Sequence, residues 1–257
     1  WGFLFSQESH SKIFTEDEQL IKVGSGAFQD GFYDIAEKQF SNFVRIYPKH
    51  DKVFDIYYLL GRTLLIRGKL KEAKGFFSKI INEGKKFENM DYTLLGMAEL
   101  EMRLGNHEEA AKLLLAIIKK FPQFDQIDYS CYLLGLLELG SNQLTTAEST
   151  LQKVPQYSKN NALIRSSYFW LGILSFKQKQ YEKAAGYFQN LWDNPKSVPQ
   201  EYLKYALFWL GESQLKLGRM NEAKQHYKTF YERYKNDPLV PEASWRMGLC
   251  EYQLGEF

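Results

Sequence analysis

The sequence predicts an all-α fold, a solenoid of stacked helix pairs that repeat about every 37 residues. Small residues recur at this spacing, and they are Gly24, Gly61, Ala98, Gly135, Gly172, Gly211 and Gly248. A second series runs beside the first and consists of Ala36, Ala73, Ala110, Ala147, Ala184 and Ala223. Hydrophobic residues make up 44% of the chain, which is enough apolar surface for a packed core and argues against a disordered chain.

The unit at residues 204–235 shows how each repeat forms a helix pair. Leu210 and Leu215 belong to a set of apolar residues at helical spacing. Gly218 then interrupts the pattern, as a glycine at a helix C-terminus does when it adopts a left-handed conformation. A second helical pattern follows and begins around Ala223. Each unit is therefore predicted to be a helix, a short turn and an antiparallel helix.

The small residues indicate where the two helices of a unit approach each other. A glycine inside a helix costs about 1 kcal/mol relative to alanine, so its recurrence at one position needs a packing reason. We expect Gly211 and Ala223 to lie at such a close approach, because a larger side chain would push the helices apart. Gly172→Leu is then expected to overpack its helix pair.

We divide the chain into an N-terminal segment, residues 1–16, and a repeat array, residues 17–257. The expected units are 17–53, 54–90, 91–127, 128–164, 165–203, 204–240 and a partial unit at 241–257. The N-terminal segment starts with an apolar stretch and is either the remnant of a signal peptide or a cap on the first unit. The partial unit indicates either a fragment of a longer array or a single capping helix.

Two units depart from the common pattern. Pro155 lies early in the second helix of the fourth unit, so we expect that helix to be cut short. The fifth unit lacks the turn glycine and has Lys179 and Gln180 instead, and its two extra residues lie in the loop at 192–199. Trp192 either closes the preceding helix as a core residue or is an exposed anchor.

No pattern of catalytic, metal-ligating or cofactor-binding residues is present. Neither a phosphate-binding loop nor a nucleophile-elbow motif occurs, and the two cysteines lie more than three repeats apart. The histidines are dispersed without metal-ligand spacing, and they are His10, His50, His107 and His226. We therefore expect a protein that is not an enzyme and that binds no cofactor or metal. The net charge of +2 comes from mixed charges, so no nucleic-acid partner is expected, and no apolar run is long enough for a transmembrane segment.

The repeat pattern resembles the tetratricopeptide repeat (TPR) family over residues 17–257. The resemblance rests on a Leu-Gly pair, a turn glycine, an alanine and an aromatic residue, as in Leu60-Gly61, Gly68, Ala73 and Phe77, and on closing pairs such as Tyr47-Pro48 and Phe121-Pro122. It implies a right-handed superhelix whose first helices line a concave groove. Units longer than the usual 34 residues, with aromatic-proline endings, resemble bacterial periplasmic and outer-membrane-associated members. This implies a location in the bacterial periplasm or cell envelope, with the cytoplasm as the alternative.

In the TPR arrangement some positions of the first helix face the groove. Aromatic residues fall three or six positions before the recurring small residue, and polar residues fall one position after it. The candidate partner-binding residues are Tyr58, Arg62, Tyr92, Glu99, Tyr129, Tyr132, Phe169, Tyr205, Phe208, Glu212 and Trp245. The aromatic members either form an exposed ladder that anchors a partner or belong to the core between repeats.

Three functions are compatible with these features. The first is a scaffold that binds a protein or peptide in the concave aromatic-rich groove, as part of a bacterial envelope assembly. The second is a structural module of a larger machine, acting through self-association or through its ends and convex face. The third is binding of a glycan or lipid fragment, since tyrosine and tryptophan rings stack on sugars.

Overall fold

The structure, a computed structural model, describes residues 14–84 and 86–256, and within these residues every regular element is an α-helix. Most of the predicted N-terminal segment lies outside them. The helices are α1 (Glu16–Gln29), α2 (Tyr33–Ile46), α3 (Val53–Ile66), α4 (Leu70–Glu83), α5 (Met90–Arg103), α6 (His107–Lys120), α7 (Ile127–Gly140), α8 (Leu144–Leu151), α9 (Val154–Tyr157), α10 (Asn161–Lys177), α11 (Tyr181–Asp193), α12 (Gln200–Lys216), α13 (Met220–Arg233) and α14 (Val240–Leu254). None of the described helices combines the length and apolar character that crossing a membrane requires.

The chain divides into two compact units at Leu113 and Leu114, within α6. In the first unit α1 packs against α2 and α3 against α4. In the second unit α7 packs against α8, and successive helices from α10 to α14 pack against each other. The predicted antiparallel helix pairs are therefore confirmed within each unit.

The turn inside each pair has a common hydrogen bond. The backbone N–H of Lys69 donates to the carbonyl of Leu64 (2.9 Å) across Gly68, whose φ of +77° is the left-handed conformation expected at a helix C-terminus. The fifth repeat keeps this turn without a glycine. There the N–H of Gln180 donates to the carbonyl of Ser175 (2.9 Å), and Lys179 takes a φ of +62°.

The core of each pair contains three residues of the second helix or, in the fourth unit, of α8 and the short α9 that follows it. These residues are an alanine, a large residue four positions later and an apolar residue three positions after that, and all of them are completely buried. They are Ala36, Phe40 and Phe43; Ala73, Phe77 and Ile80; Ala110, Leu114 and Ile117; Ala147, Leu151 and Val154; Ala184, Phe188 and Leu191; and Ala223, Tyr227 and Phe230.

The recurring glycine of the first helix packs directly against the middle residue of this triplet. A Cβ added to Gly172 would lie 2.6 Å from the Phe188 ring, and a Cβ on Gly211 would lie 2.8 Å from the Tyr227 ring. Both distances are below van der Waals contact, so a larger side chain does not fit unless its neighbour moves. The close approach of the paired helices is therefore confirmed at these positions.

Both departures from the repeat have visible consequences. The second helix of the fourth unit ends at Leu151, and the short α9 carries Pro155 in its first turn, so the predicted shortening is confirmed. Trp192 is half-buried and packs against hydrophobic clusters on both sides, and the Arg233 guanidinium lies 4.9 Å above its ring. Trp192 therefore belongs to the core, and the Arg233 guanidinium covers one face of its ring.

Candidate interaction surface

Three of the predicted groove aromatics are buried in the second unit. Tyr132, Phe169 and Phe208 are 9%, 4% and 7% exposed. Each lies three residues before the recurring glycine and so shares its helix face, which is the face that packs on the second helix. The Phe169 ring lies 6.0 Å from the Phe188 ring in this contact. The sequence left open whether these aromatic residues form an exposed ladder or belong to the core, and these three side chains belong to the core.

The other predicted aromatics have different surroundings. Tyr58, Tyr92, Tyr129 and Tyr205 are half-buried, and Trp245 on α14 is 58% exposed. The rings of Tyr58 and Tyr92 lie 6.3 Å apart, which joins α3 to α5 within the first unit. The ladder is therefore neither uniformly core nor uniformly surface, and its exposure changes from helix to helix.

Two of the predicted polar residues contact each other. Arg62 of α3 donates a hydrogen bond to Glu99 of α5, and both side chains are half-buried. This ion pair connects the first helices of successive repeats. Because the two charges neutralise each other, neither side chain offers an unpaired charge to a ligand.

The third predicted polar residue, Glu212, is a buried link between three helices. Its carboxylate accepts a hydrogen bond from the Tyr227 hydroxyl of α13 (2.7 Å) and pairs with Arg246 of α14 (2.9 Å). Burial, followed by the nearby Glu212 charge, raises the pKa of Tyr227 far above its ordinary range. Glu212 therefore holds α12, α13 and α14 together instead of facing a groove.

A cluster of aromatic residues joins the first helices of three successive repeats in the second unit. The Trp170 Nε1–H of α10 lies between two hydroxyls and donates to Tyr132 of α7 (3.2 Å) and Tyr202 of α12 (3.3 Å). The two hydroxyl oxygens are themselves 3.1 Å apart. Phe169 completes the cluster by stacking on the Tyr202 ring at 4.7 Å. Burial, followed by the hydrogen bond with Tyr202, raises the pKa of Tyr132, so the Tyr132 hydroxyl remains a neutral donor and acceptor.

An apolar hollow of about 320 Å³ lies between α7 and α10, with Trp170 in its wall. Its lining residues are Leu136, Leu139, Gly140, Trp170, Ile173 and Lys177. Lys177 is exposed and supplies the only positive charge among these lining residues. The hollow can therefore bury an apolar group beside the ammonium group of Lys177.

The residues that line this hollow are not among the predicted site residues, although several of them lie next to a predicted position in the sequence. Leu136 and Ile173 each follow the recurring glycine by one residue, which is the position shared by Arg62, Glu99 and Glu212. Trp170 and Lys177 share this face because they lie three residues before and four residues after Ile173. The position after the recurring small residue therefore carries the signal for Leu136 and Ile173 when its apolar members are considered as well as its polar ones.

The described residues do not assemble the side chains of a metal centre. No group of three or more histidine, cysteine, aspartate or glutamate side chains lies close enough to hold a metal ion among residues 14–84 and 86–256. The thiols of Cys131 and Cys250 are buried, and burial raises the pKa of both. A raised thiol pKa lowers the thiolate fraction that nucleophilic chemistry requires.

Comparison with known proteins supports the repeat interpretation. Three segments match the tetratricopeptide repeat family, and they are residues 92–123, 166–197 and 205–237. Among curated proteins, no sequence matches the chain. The first two matched segments begin within α5 and α10 and extend beyond α6 and α11, so each matched segment contains most of a helix pair.

Several solved structures share the fold at low sequence identity. A tetratricopeptide repeat protein from Parabacteroides merdae is 18% identical, with a TM-score of 0.65 over 94% of this chain and 88% of that chain. Pseudomonas aeruginosa pilF is 16% identical, with a TM-score of 0.68 over 88% of this chain and 96% of that chain. YrrB, a TPR protein with an unusual peptide-binding site, is 13% identical, with a TM-score of 0.63 over 80% of this chain and 97% of that chain.

These likenesses establish the fold and leave the partner open. The TPR fold is generally that of a non-catalytic scaffold for protein–protein interactions. The helix pairs, the glycine contacts and the matched segments agree on a TPR fold for this chain. The chain has the fold of tetratricopeptide repeat proteins, and three of its segments match that family.

Proposed function

We propose that this protein is a non-enzymatic interaction scaffold that binds a protein or peptide partner on the first-helix surface of its second unit. The observation that carries the proposal is the apolar hollow between α7 and α10. Its volume of about 320 Å³ lies at the lower end of the range for ligand sites, roughly 300–1,000 Å³. A hollow of this size suits a large apolar side chain of a peptide.

The lining of the hollow indicates the chemistry of the partner. Leu136, Ile173 and the Trp170 ring present apolar surface, and burying one large apolar side chain against them is worth about 1.5–3 kcal/mol. Lys177 at the wall favours a carboxylate close to that side chain. We therefore propose a partner segment with an acidic residue next to a large apolar residue.

The envelope assembly belongs to the same proposal. Repeats longer than the usual TPR unit, with closing pairs Tyr47-Pro48 and Phe121-Pro122, resemble those of bacterial periplasmic and outer-membrane-associated members. We propose that the protein acts in the bacterial periplasm or cell envelope, with the cytoplasm as the alternative. Fractionation of the source cells tests this directly, since recovery with cytoplasmic markers alone contradicts it.

The binding test compares two folded variants by affinity capture from the source organism followed by mass spectrometry. Leu136→Ser with Ile173→Ser removes the apolar lining of the hollow. Leu115→Ser is the matched control, because Leu115 is an exposed leucine of α6, a second helix. Circular dichroism first confirms that both variants keep the helical content of the wild type.

We expect a partner that the wild type and the control retain and that the hollow variant loses. A partner retained equally by all three proteins contradicts binding in the hollow. Isothermal titration with the captured partner then measures the affinity of each variant.

A structural module that self-associates through its ends is the second candidate. It is supported by exposed apolar side chains at the first helix pair, where Phe32 is 58% exposed and Ile35 is also exposed. Light scattering at rising protein concentration tests it. A concentration-dependent oligomer that Phe32→Ser abolishes supports this function, and a strict monomer contradicts it.

A further inference from the structure

The hollow between α7 and α10 has a counterpart one repeat further along, between α10 and α12. Trp170 and Trp209 correspond to each other, since each lies two residues before the recurring glycine. Leu139 and Phe176 also correspond, since each lies four residues after it. Between α10 and α12 the Phe176 ring packs on the Trp209 ring in a T-shaped contact, with the ring centroids 4.9 Å apart. The chain therefore supplies an aromatic ring of its own at the later position.

The corresponding contact between α7 and α10 is formed by smaller side chains. Three residues of the fourth repeat are smaller than the residues 37 positions later, and the pairs are Leu139 and Phe176, Gly140 and Lys177, and Leu144 and Tyr181. In the later repeat the Phe176 ring also contacts the Tyr181 ring, with the centroids 5.2 Å apart. In the earlier repeat a Cβ added to Gly140 would have no heavy atom of a neighbouring helix within 4 Å. The hollow of about 320 Å³ therefore lies where the chain lacks the ring that Phe176 supplies one repeat later.

The Trp170 ring is held in position without a ligand. Its Nε1–H lies between the hydroxyls of Tyr132 (3.2 Å) and Tyr202 (3.3 Å), so the polar edge of the indole is already hydrogen-bonded. What Trp170 offers to the hollow is apolar ring surface in a fixed orientation. A ring surface that is already ordered lowers the entropy cost of binding, because less freedom is lost when the ligand arrives.

An aromatic ring suits this surface better than an aliphatic side chain does. Aromatic rings favour T-shaped contacts with centroids roughly 4.5–7 Å apart, and such pairs are stabilised beyond the burial of their area. The contact of Phe176 with Trp209 has this geometry. A leucine in the hollow would bury apolar area on Trp170 without the additional aromatic contact.

The charge beside the hollow adds a second requirement. Lys177 lies in the last turn of α10, is exposed and lines the hollow. It forms no ion pair with another residue that the structure describes. A carboxylate close to the bound ring would form a charge-assisted hydrogen bond with its ammonium group.

We propose that the partner is anchored in this hollow by a phenylalanine or tyrosine ring in T-shaped contact with Trp170, with a neighbouring aspartate or glutamate paired with Lys177. The ring takes the position relative to Trp170 that Phe176 takes relative to Trp209. This anchor presupposes the peptide binding proposed above and specifies which side chain enters the hollow.

The test selects random peptides displayed on phage against the wild-type chain and sorts them with three variants. Leu139→Phe supplies the missing ring from the chain itself, and Gly140→Leu adds a side chain to the open space beside it. Gly186→Leu is the matched control for Gly140→Leu, because it places the same side chain at an exposed glycine of α11 with open surroundings. Circular dichroism and thermal unfolding check that each variant folds. Gly140→Leu alone blocks the hollow if the buried position of Leu139 does not accept a ring.

Peptides that bind the wild type and Gly186→Leu, but neither blocking variant, are assigned to the hollow. We expect these peptides to share an aromatic residue next to an acidic one. They are then synthesised with a fluorescein label and titrated by fluorescence anisotropy. Replacing the aromatic residue by leucine should weaken binding by about three- to tenfold. Replacing the acidic residue by its amide should weaken binding to the wild type but not to Lys177→Gln.

Two results overturn the proposal, and they differ in what else they overturn. If no peptide distinguishes the blocking variants from the wild type and Gly186→Leu, the hollow binds no peptide, and the proposed function fails as well. If peptides bind in the hollow but leucine and aromatic anchors bind equally well, the aromatic anchor is wrong, while the proposed binding in the hollow stands.

Discussion

Adjacent residues of α10 have opposite roles, and the contrast explains how this repeat divides core from surface. Phe169 is 4% exposed and packs on Phe188 of the second helix, whereas Trp170 lines the hollow beside α7. Leu174 is completely buried, and its neighbour Ile173 lines the hollow. One residue rotates a helical side chain by about 100°, so a single position separates the face against the second helix from the face toward the hollow.

The comparison teaches that the recurring glycine marks the core face and not the face that lines the hollow. Positions three before and four after it lie above and below it on the same side of the helix. The face that lines the hollow begins one residue later, where Leu136 and Ile173 lie.

The largest expected effect is on the core face. Phe169→Ala removes a ring that contacts Phe188 and stacks on Tyr202, and it should lower the free energy of unfolding by about 3–5 kcal/mol. Ile173→Ala on the other face should cost less than half as much, because that side chain is only half-buried. Urea unfolding followed by circular dichroism measures both, and equal losses would erase the distinction between the faces.

A smaller effect is expected from overpacking the glycine contact. Gly172→Leu drives a side chain into the Phe188 ring and should destabilise the fold by about 1–3 kcal/mol or more. Gly186→Leu is the control, since its surroundings are open and leucine has the better helix propensity, so that variant should be neutral or up to about 1 kcal/mol more stable. Thermal unfolding of the pair decides, and a stable Gly172→Leu variant would refute close helix approach.

The smallest effect concerns pH and the buried side of α7. Burial raises the pKa of the Cys131 thiol from 9.0 to about 11, so the folded state keeps a proton that the unfolded state releases. The contribution of this thiol to stability is complete below pH 9 and is lost as pH rises toward 11. Unfolding free energies over this range should fall more steeply in the wild type than in Cys131→Ala. Identical slopes would mean that the thiol is not buried.

Local chemistry made much of the fold predictable. Gly172 and Ala184 report a close helix contact because only small side chains permit one, and Pro155 reports a helix break because proline lacks the N–H. Lys179 was recognised as a departure, but its left-handed turn could be known only from the structure. The handedness of the superhelix and the location in the cell remain predictions.

The site was less predictable because it depends on packing between repeats. The hydrogen bond between Tyr132 and Tyr202 joins residues 70 positions apart, and no spacing rule points to it. Trp170 lies one position from the aromatic series that includes Phe169, so the spacing of that series does not point to it. Helix periodicity says which residues share a face, but the neighbouring helices decide which face is covered.

The most direct test of this division is the rate of thiol labelling at two adjacent positions of α10. Ile173→Cys and Leu174→Cys are compared by maleimide labelling under native conditions, in a chain whose own Cys131 and Cys250 are buried. We predict that the cysteine at position 173 is labelled rapidly and is protected by a bound partner, while the cysteine at position 174 is labelled only as fast as the protein unfolds. The account would be contradicted if, in the absence of a partner, the cysteine at position 174 were labelled rapidly and the cysteine at position 173 were protected.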